Sequence, residues 1–127
     1  MKQVNVIFEG EAKIEYIKLK QAVDIEIKKG ITKSNNQILF NSINNKIELL
    51  KTNPVAGRAV KKSLIPLKYK NQGLTNLWIL DLSSFWRLVY NIQTDEIQIV
   101  CFILEYGDHD KYNQLFGFKR KWYNIVF

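Results

Sequence analysis

The sequence predicts an α+β fold, with two N-terminal helices packed on a twisted antiparallel β-sheet. Three observations carry this. Apolar residues recur at helical spacing up to about Pro54, whereas after Gly57 they alternate or run together in β-branched and aromatic blocks separated by turn residues. The chain is 127 residues long, 46% hydrophobic and 24% charged, which suits a globular domain with a single core. No Gly/Ser linker, internal repeat or low-complexity tract divides it.

The elements follow in order. "VNVIF", Val4 to Phe8, is short and β-rich. Beyond Gly10, "EAKIEYIKLKQAVDIEIKKG" is dense in good helix formers and ends at Gly30, a residue suited to stopping a helix. The alternation of Val23, Ile25 and Ile27 leaves a strand open as an alternative for its last part. Ser34 followed by Gln37 has the spacing of a capping box. Leu39, Ile43, Ile47 and Leu50 then form one apolar stripe that Pro54 closes. The many asparagines of this second helix lower its intrinsic propensity, so it needs an apolar surface to pack on.

Four blocks then predict strands: "LIPLKYK", "NLWILDL", "FWRLVYNI" and "EIQIVCFIL". "NIQTDEIQI" predicts a hairpin with Thr94-Asp95 at its tip. Within "FWRLVY", alternation puts Phe85, Arg87 and Val89 on one face and Trp86, Leu88 and Tyr90 on the other. The closing "KRKWYNIVF" reads equally as a strand, a docked tail or a partner-binding segment. Residues 1–118 thus form one domain, followed by an extension over 119–127 with no assigned role.

Nineteen Lys and Arg against twelve Asp and Glu give a net charge of +7, so a polyanion is the natural partner to consider. Cys101 is the only cysteine and lies in "IVCFIL", where a thiol behaves as a small buried hydrophobe. The apolar runs fall short of the roughly 20 residues that span a bilayer, and the acids of "MKQVNVIFEGEAKIEY" sit where a signal peptide would be apolar. A cytoplasmic location with no membrane partner is expected. One His and one Cys do not complete a zinc set without carboxylates, and no Walker A or dinucleotide glycine pattern occurs. No nucleophile elbow is visible for a serine triad built on His109. Neither a metal nor another cofactor is expected.

What remains is a set of basic and aromatic residues around the predicted sheet: Arg58, Lys61, Lys62, Lys68, Lys70, Arg87, His109, Tyr112 and Phe116. Cations neutralise phosphates and aromatic faces accept unstacked bases, so the mixture suits single-stranded RNA. A basic surface over buried aromatics uses the same residue types.

The order of these pieces adds to their meaning. A first strand, a helical hairpin ending in "NPVAGRAVKKS", the "LWILDLSSFWRLVYNI" hairpin, the strand "EIQIVCFILEYG" and the terminal "HDKYNQLF" follow one another from Val4 to Phe118. In this the chain resembles the RelE/ParE superfamily of toxins from type II toxin–antitoxin systems. "WRLVYNI" and "GDHDKYNQLF" look most like its YafQ and YoeB side, toxins that cleave mRNA on the ribosome. The resemblance implies a metal-independent endoribonuclease, with mRNA, the ribosome and a cognate antitoxin as partners. The RNA 2′-hydroxyl would attack the neighbouring phosphate, which needs a base, cations around the phosphate and a proton donor.

Carried over by position, His109 would supply the acid or base, since an unperturbed imidazole titrates near pH ~6.5. Arg87 would clamp the phosphate, with Lys61 or Lys62 in support, and Arg58, Lys68 and Lys70 would bind substrate. Tyr112 and Phe116 follow His109 where the family places an aromatic that stacks on a base or joins the proton transfer; the bland alternatives are a sheet-edge cap for Tyr112 and a core position for Phe116. Asp81, Glu105 and Asp108 put negative charge near this set, and such charge opposes a phosphate. Two other functions stay open at this point: a ParE-like toxin that inhibits DNA gyrase without hydrolysis, and a non-catalytic relative that binds RNA or protein. The oligomeric state is open as well.

Overall fold

The computed structural model describes residues 2–116, apart from the side chains of His109, Tyr112 and Asn113. The elements run β1 (Gln3–Phe8), α1 (Gly10–Lys28), α2 (Asn35–Thr52), β2 (Arg58–Ala59), α3 (Leu67–Lys70), β3 (Trp78–Asp81), β4 (Arg87–Thr94), β5 (Gln98–Gly107) and α4 (His109–Phe116). The class is α+β, as the periodicities predict. The extension over 119–127 lies outside the described residues.

The sheet corrects one expectation: it is mixed, not antiparallel. Its order is β1-β5-β4-β3-β2, and β1 pairs with β5 in parallel, from Gln3 opposite Gln98 to Phe8 opposite Ile103. Parallel neighbours need a long connection, and here residues 9–97 lie between them. The other three pairings are antiparallel. The hairpin tip falls at Asp95, whose carboxylate accepts the N–H groups of Ile97 and Gln98.

The helices form where the sequence places them. α1 is unbroken to Lys28, so the strand alternative for Val23 to Ile27 is not realised: Val23 is buried while Ile25 and Ile27 are exposed. Gly30 follows with φ +81°, the left-handed conformation that ends helices. Ser34 Oγ accepts the Gln37 N–H at 3.1 Å, the serine half of the capping box. The other half is not formed, because the Gln37 amide donates to Ile31 O and to Glu26 Oε1 instead. Glu26 also accepts from Ser34 and Asn36, and the hydrogen bond from Ser34 leads those that hold its carboxyl below the usual range. One α1 carboxylate therefore docks on the electropositive start of α2.

Both faces of the sheet are covered. Ala12, Leu19 and Val23 of α1 and Ile43 and Leu50 of α2 share one cluster with Leu80, Leu88, Tyr90, Cys101, Ile103 and Tyr106. Val89, Ile79 and Leu104 belong to a second cluster with Val60, Ile65 and Tyr69, against which Leu115 and Phe116 of α4 pack. The split of Leu88 and Tyr90 from Val89 follows the alternation read in "FWRLVY". Burial pushes the Cys101 thiol up to about 11, in keeping with a core position.

Two local expectations need correction. "LIPLKYK" is not a strand but a 3-10 turn at Lys62–Leu64 followed by α3. Its buried residues, Ile65 and Tyr69, are four apart, while Leu67 is exposed; Pro66, at φ −56°, leads into the helical turn. The strand in "FWRLVYNI" begins only at Arg87, because Ser83–Phe85 form a turn in which Ser84 and Phe85 have φ of +60° and +63°. Two elements, β2 and α4, were not anticipated as such.

Tyr90 shows how the core fixes the surface. Its buried phenol donates to Pro54 O at 2.7 Å and accepts the Gly57 N–H at 3.1 Å, pinning the loop between α2 and β2. Burial pushes this phenol up to about 12. A Cβ on Gly57 would lie 2.7 Å from Ile79 O and 2.9 Å from the Tyr90 hydroxyl, so only glycine fits there. Tyr90→Phe strands both backbone groups and should lower stability by about 1–3 kcal/mol in chemical denaturation; an unchanged midpoint would show that water replaces the phenol.

Candidate functional site

At one end of the sheet three strand termini lie side by side. Asp81, the last residue of β3, pairs with Arg87, the first of β4, and Arg87 pairs with Gly107, the last of β5. The chain then passes through Asp108 into α4 at His109. Topology thus brings the backbone of His109 within two residues of the strand partner of Arg87.

Arg87 is 9% exposed. Its Nε lies 2.9 Å from Asp81 Oδ1, and its Nη1 donates to Trp86 O at 3.2 Å. From β2, Arg58 approaches the same carboxylate with Nη1 and Nη2 at 2.8 and 2.7 Å. The Arg58 hydrogen bonds, then the charge of Arg87, hold the half-exposed Asp81 carboxyl below its usual range. Two guanidiniums converging on one oxyanion is the arrangement that recognises carboxylate or phosphate. Lys46 of α2 adds to the positive field at Asp81.

Two residues along the same sheet face, Glu105 lies opposite Val89 and is 7% exposed. Its carboxylate accepts the Tyr69 phenol and pairs with Lys68 Nζ at 3.0 Å. Burial, and then Glu105 itself, push the Tyr69 phenol well above its ordinary value, so it remains a donor. Arg87, Glu105, Lys111 and Leu115 meet in a narrow crevice beneath α4. Asp108 Oδ1 accepts the Lys111 N–H at 3.2 Å and so caps α4. The Lys111 stem lies on Gly107, where a Cβ would come within 2.5 Å of Cδ; glycine lets α4 settle against the end of β5.

The acids expected to oppose a phosphate therefore each have a local partner: Asp81 two arginines, Glu105 a lysine and a phenol, Asp108 a helix end. Of the predicted site residues, Arg58 and Arg87 are brought together through Asp81. Lys68 is held by Glu105. Lys61 and Lys62 are exposed and follow Val60, whose N–H bonds Leu77 O, so they leave the sheet toward the start of β3, away from Asp81. Lys70 is exposed at the end of α3. Phe116 is partly buried against the second cluster. The side chains of His109 and Tyr112 lie outside the described residues, although both positions belong to α4.

On the helix side of this end, Trp86 and Tyr106, ring centroids 6.2 Å apart, help to line a cleft of about 420 Å³ together with Lys18, Leu39 and Lys111. Sequence reasoning did not single out these aromatics, nor Asp81 as an organiser; the signal was the Asp81 and Arg87 pair flanking one tight turn. Among the described residues, no three His, Cys, Asp or Glu side chains converge on a possible metal position, and no helix is long and apolar enough to cross a membrane. Compared with family models, curated proteins and solved structures, the chain gives no match.

Two outcomes are expected. Tyr69→Phe leaves the buried Glu105 carboxylate short of a donor and should cost about 1–3 kcal/mol in denaturant unfolding. The lowered Asp81 pKa makes its pairing a stabilising contribution that is present above the unfolded value, near ~3.9, and lost as pH falls through the folded one. The melting temperature of wild type should therefore drop more steeply from about pH 5 to about pH 3 than that of Asp81→Asn; parallel curves would show that Asp81 contributes nothing.

Proposed function

We propose that the protein is a RelE/ParE-like toxin acting in the cytoplasm, a metal-independent endoribonuclease that cleaves mRNA on the ribosome and is neutralised by a cognate antitoxin. The observation that carries this reading is the end of the sheet at which Arg87, shielded in the fold and shared with Asp81, pairs in register with Gly107 two residues before His109. A cation fixed beside an imidazole-bearing backbone position is what in-line phosphate chemistry needs. The net charge of +7 and the pairing of Glu105 with Lys68 favour approach of a polyanion to this end.

In this reading the RNA 2′-oxygen attacks phosphorus and the bond to the 5′-oxygen breaks, leaving a 2′,3′-cyclic phosphate and a free 5′-hydroxyl. One proton leaves the 2′-hydroxyl and another reaches the departing oxygen. His109 handles one of these transfers, and Tyr112, one turn along α4, is the candidate for the other. Arg87, with Arg58 beside it, offsets the charge that grows on the phosphate oxygens. The exposed Lys61, Lys62 and Lys70, and Lys68 at its half-exposed position, serve the longer-range attraction of RNA rather than the reacting phosphate.

Cleavage of mRNA on purified ribosomes tests the reading. His109→Ala should slow single-turnover cleavage by roughly 10²- to 10⁴-fold. Arg87→Ala should slow it by roughly 10²- to 10³-fold. Because Arg87 also pairs with Asp81, Arg87→Lys and a thermal melt accompany it: a folded Arg87→Lys that remains slow points to the guanidinium fork. Full cleavage by both His109→Ala and Arg87→Ala would sink the proposed site.

A further inference from the structure

We propose that the cleft bounded by α1, the start of α2 and the end of β5 binds one nucleotide, with its base against Trp86 and Tyr106. This inference deepens the ribonuclease reading above and rests on it for the source of the nucleotide, a strand of RNA passing toward Arg87.

The cleft holds about 420 Å³, within the roughly 300–1,000 Å³ of small-molecule sites. Leu19 and Ala22 of α1, Leu39 of α2, Trp86 and Tyr106 give it apolar and aromatic walls, which suit a flat heterocycle. The two ring planes meet at 36°, and Trp86 is the more exposed of the pair. Tyr106 is 6% exposed, and its phenol has no hydrogen-bond partner among the described residues. Burial, then the charge of Glu15, push this phenol well above its ordinary value, so it stays a donor. Tyr69 and Tyr90, buried like it, both donate to an acceptor within the fold. A buried donor without an acceptor is costly. An acceptor atom on a bound base would satisfy what the fold leaves unsatisfied.

The cleft also adjoins the candidate site. Tyr106, Gly107 and Lys111 line both it and the crevice that holds Arg87 and Glu105. A base in the cleft therefore carries its phosphate past Lys111, on the side toward Arg87. The rim has both signs of charge: Lys18 Nζ lies 3.9 Å from Glu15 Oε1, with both side chains more than half exposed, and Asp108 caps α4. Such a rim offers donors and acceptors to a base edge without the concentrated positive charge that would hold a phosphate in the cleft itself. An apolar protein segment would use the same walls, but it would leave the Tyr106 phenol without an acceptor, so the nucleotide is the better fit.

The test is binding of a labelled, uncleavable 2′-O-methyl oligoadenylate hexamer, and separately of 5′-AMP, at fixed salt, so that it does not depend on catalysis. Tyr106→Phe keeps the ring and loses the donor. It should weaken hexamer binding by roughly 3- to 10-fold while the melting temperature stays at or above that of wild type, because the phenol has no partner in the fold to lose. Trp86→Leu should cost roughly 5- to 100-fold, the range of one base–aromatic stack, and Trp86→Phe should stay within about threefold of wild type. Ala22→Leu, which suits a helix and fills the cleft, should cost about fivefold or more. Tighter binding of the hexamer than of 5′-AMP supports an RNA strand as the source; equal affinity supports the cleft and assigns it to a free nucleotide. Absence of saturable binding to both ligands overturns the inference. So do Tyr106→Phe, Trp86→Leu and Ala22→Leu all binding within about twofold of wild type while folded by circular dichroism. Loss of a protein partner in Ala22→Leu with nucleotide affinity unchanged overturns it as well. Binding that depends on Trp86 in a protein that cleaves no mRNA supports the inference and removes the ribonuclease reading; cleavage by a protein that binds neither ligand in this cleft does the reverse.

Discussion

The Asp81 carboxylate, held between the guanidiniums of Arg58 and Arg87, is the contact on which the end of the sheet depends. β2 contributes only two paired residues to the sheet, and Arg58 secures that thin edge by reaching Asp81 at the end of β3. Arg87 secures the same carboxylate from β4. The half-exposed pair of Arg58 with Asp81 contributes little stability, typically about 0–1 kcal/mol, so its value lies chiefly in direction. It fixes where a guanidinium points in a place where Gly107, the Asp108 cap and the start of α4 all follow from the position of Arg87.

Much of the fold was legible because it rests on local signals. The stripe of Leu39, Ile43, Ile47 and Leu50, the Ser34 cap, Gly30 beyond the helix and the alternation from Leu88 to Tyr90 each report a short-range preference that the tertiary structure keeps. The parallel placement of β1 was not legible, since alternation within "VNVIF" carries no information about the direction of its neighbour. "LIPLKYK" misled because β-branched and aromatic letters outweighed the four-residue spacing of Ile65 and Tyr69. α4 was hidden by its low hydrophobicity, although Asp108 three residues before Lys111 is a capping signal.

The candidate site divides along the same line. Arg87 could be picked out as a charge set among apolar residues in a strand. Whether an acid near it is a hindrance cannot be read from a one-dimensional charge pattern, because partners such as Lys68 and Tyr69 lie more than thirty residues from Glu105 in sequence. With α1 and α2 on one face and α3 and α4 on the other, neither face of the sheet is bare.

The place of β5 has a consequence in time. It sits between β1 and β4, so β1 is synthesised well before its parallel neighbour: Gln3 waits for Gln98. A ribosome adding roughly 5–20 residues per second leaves β1 without a neighbour for several seconds, and the sheet end bearing Arg87 closes only when Gly107 has emerged.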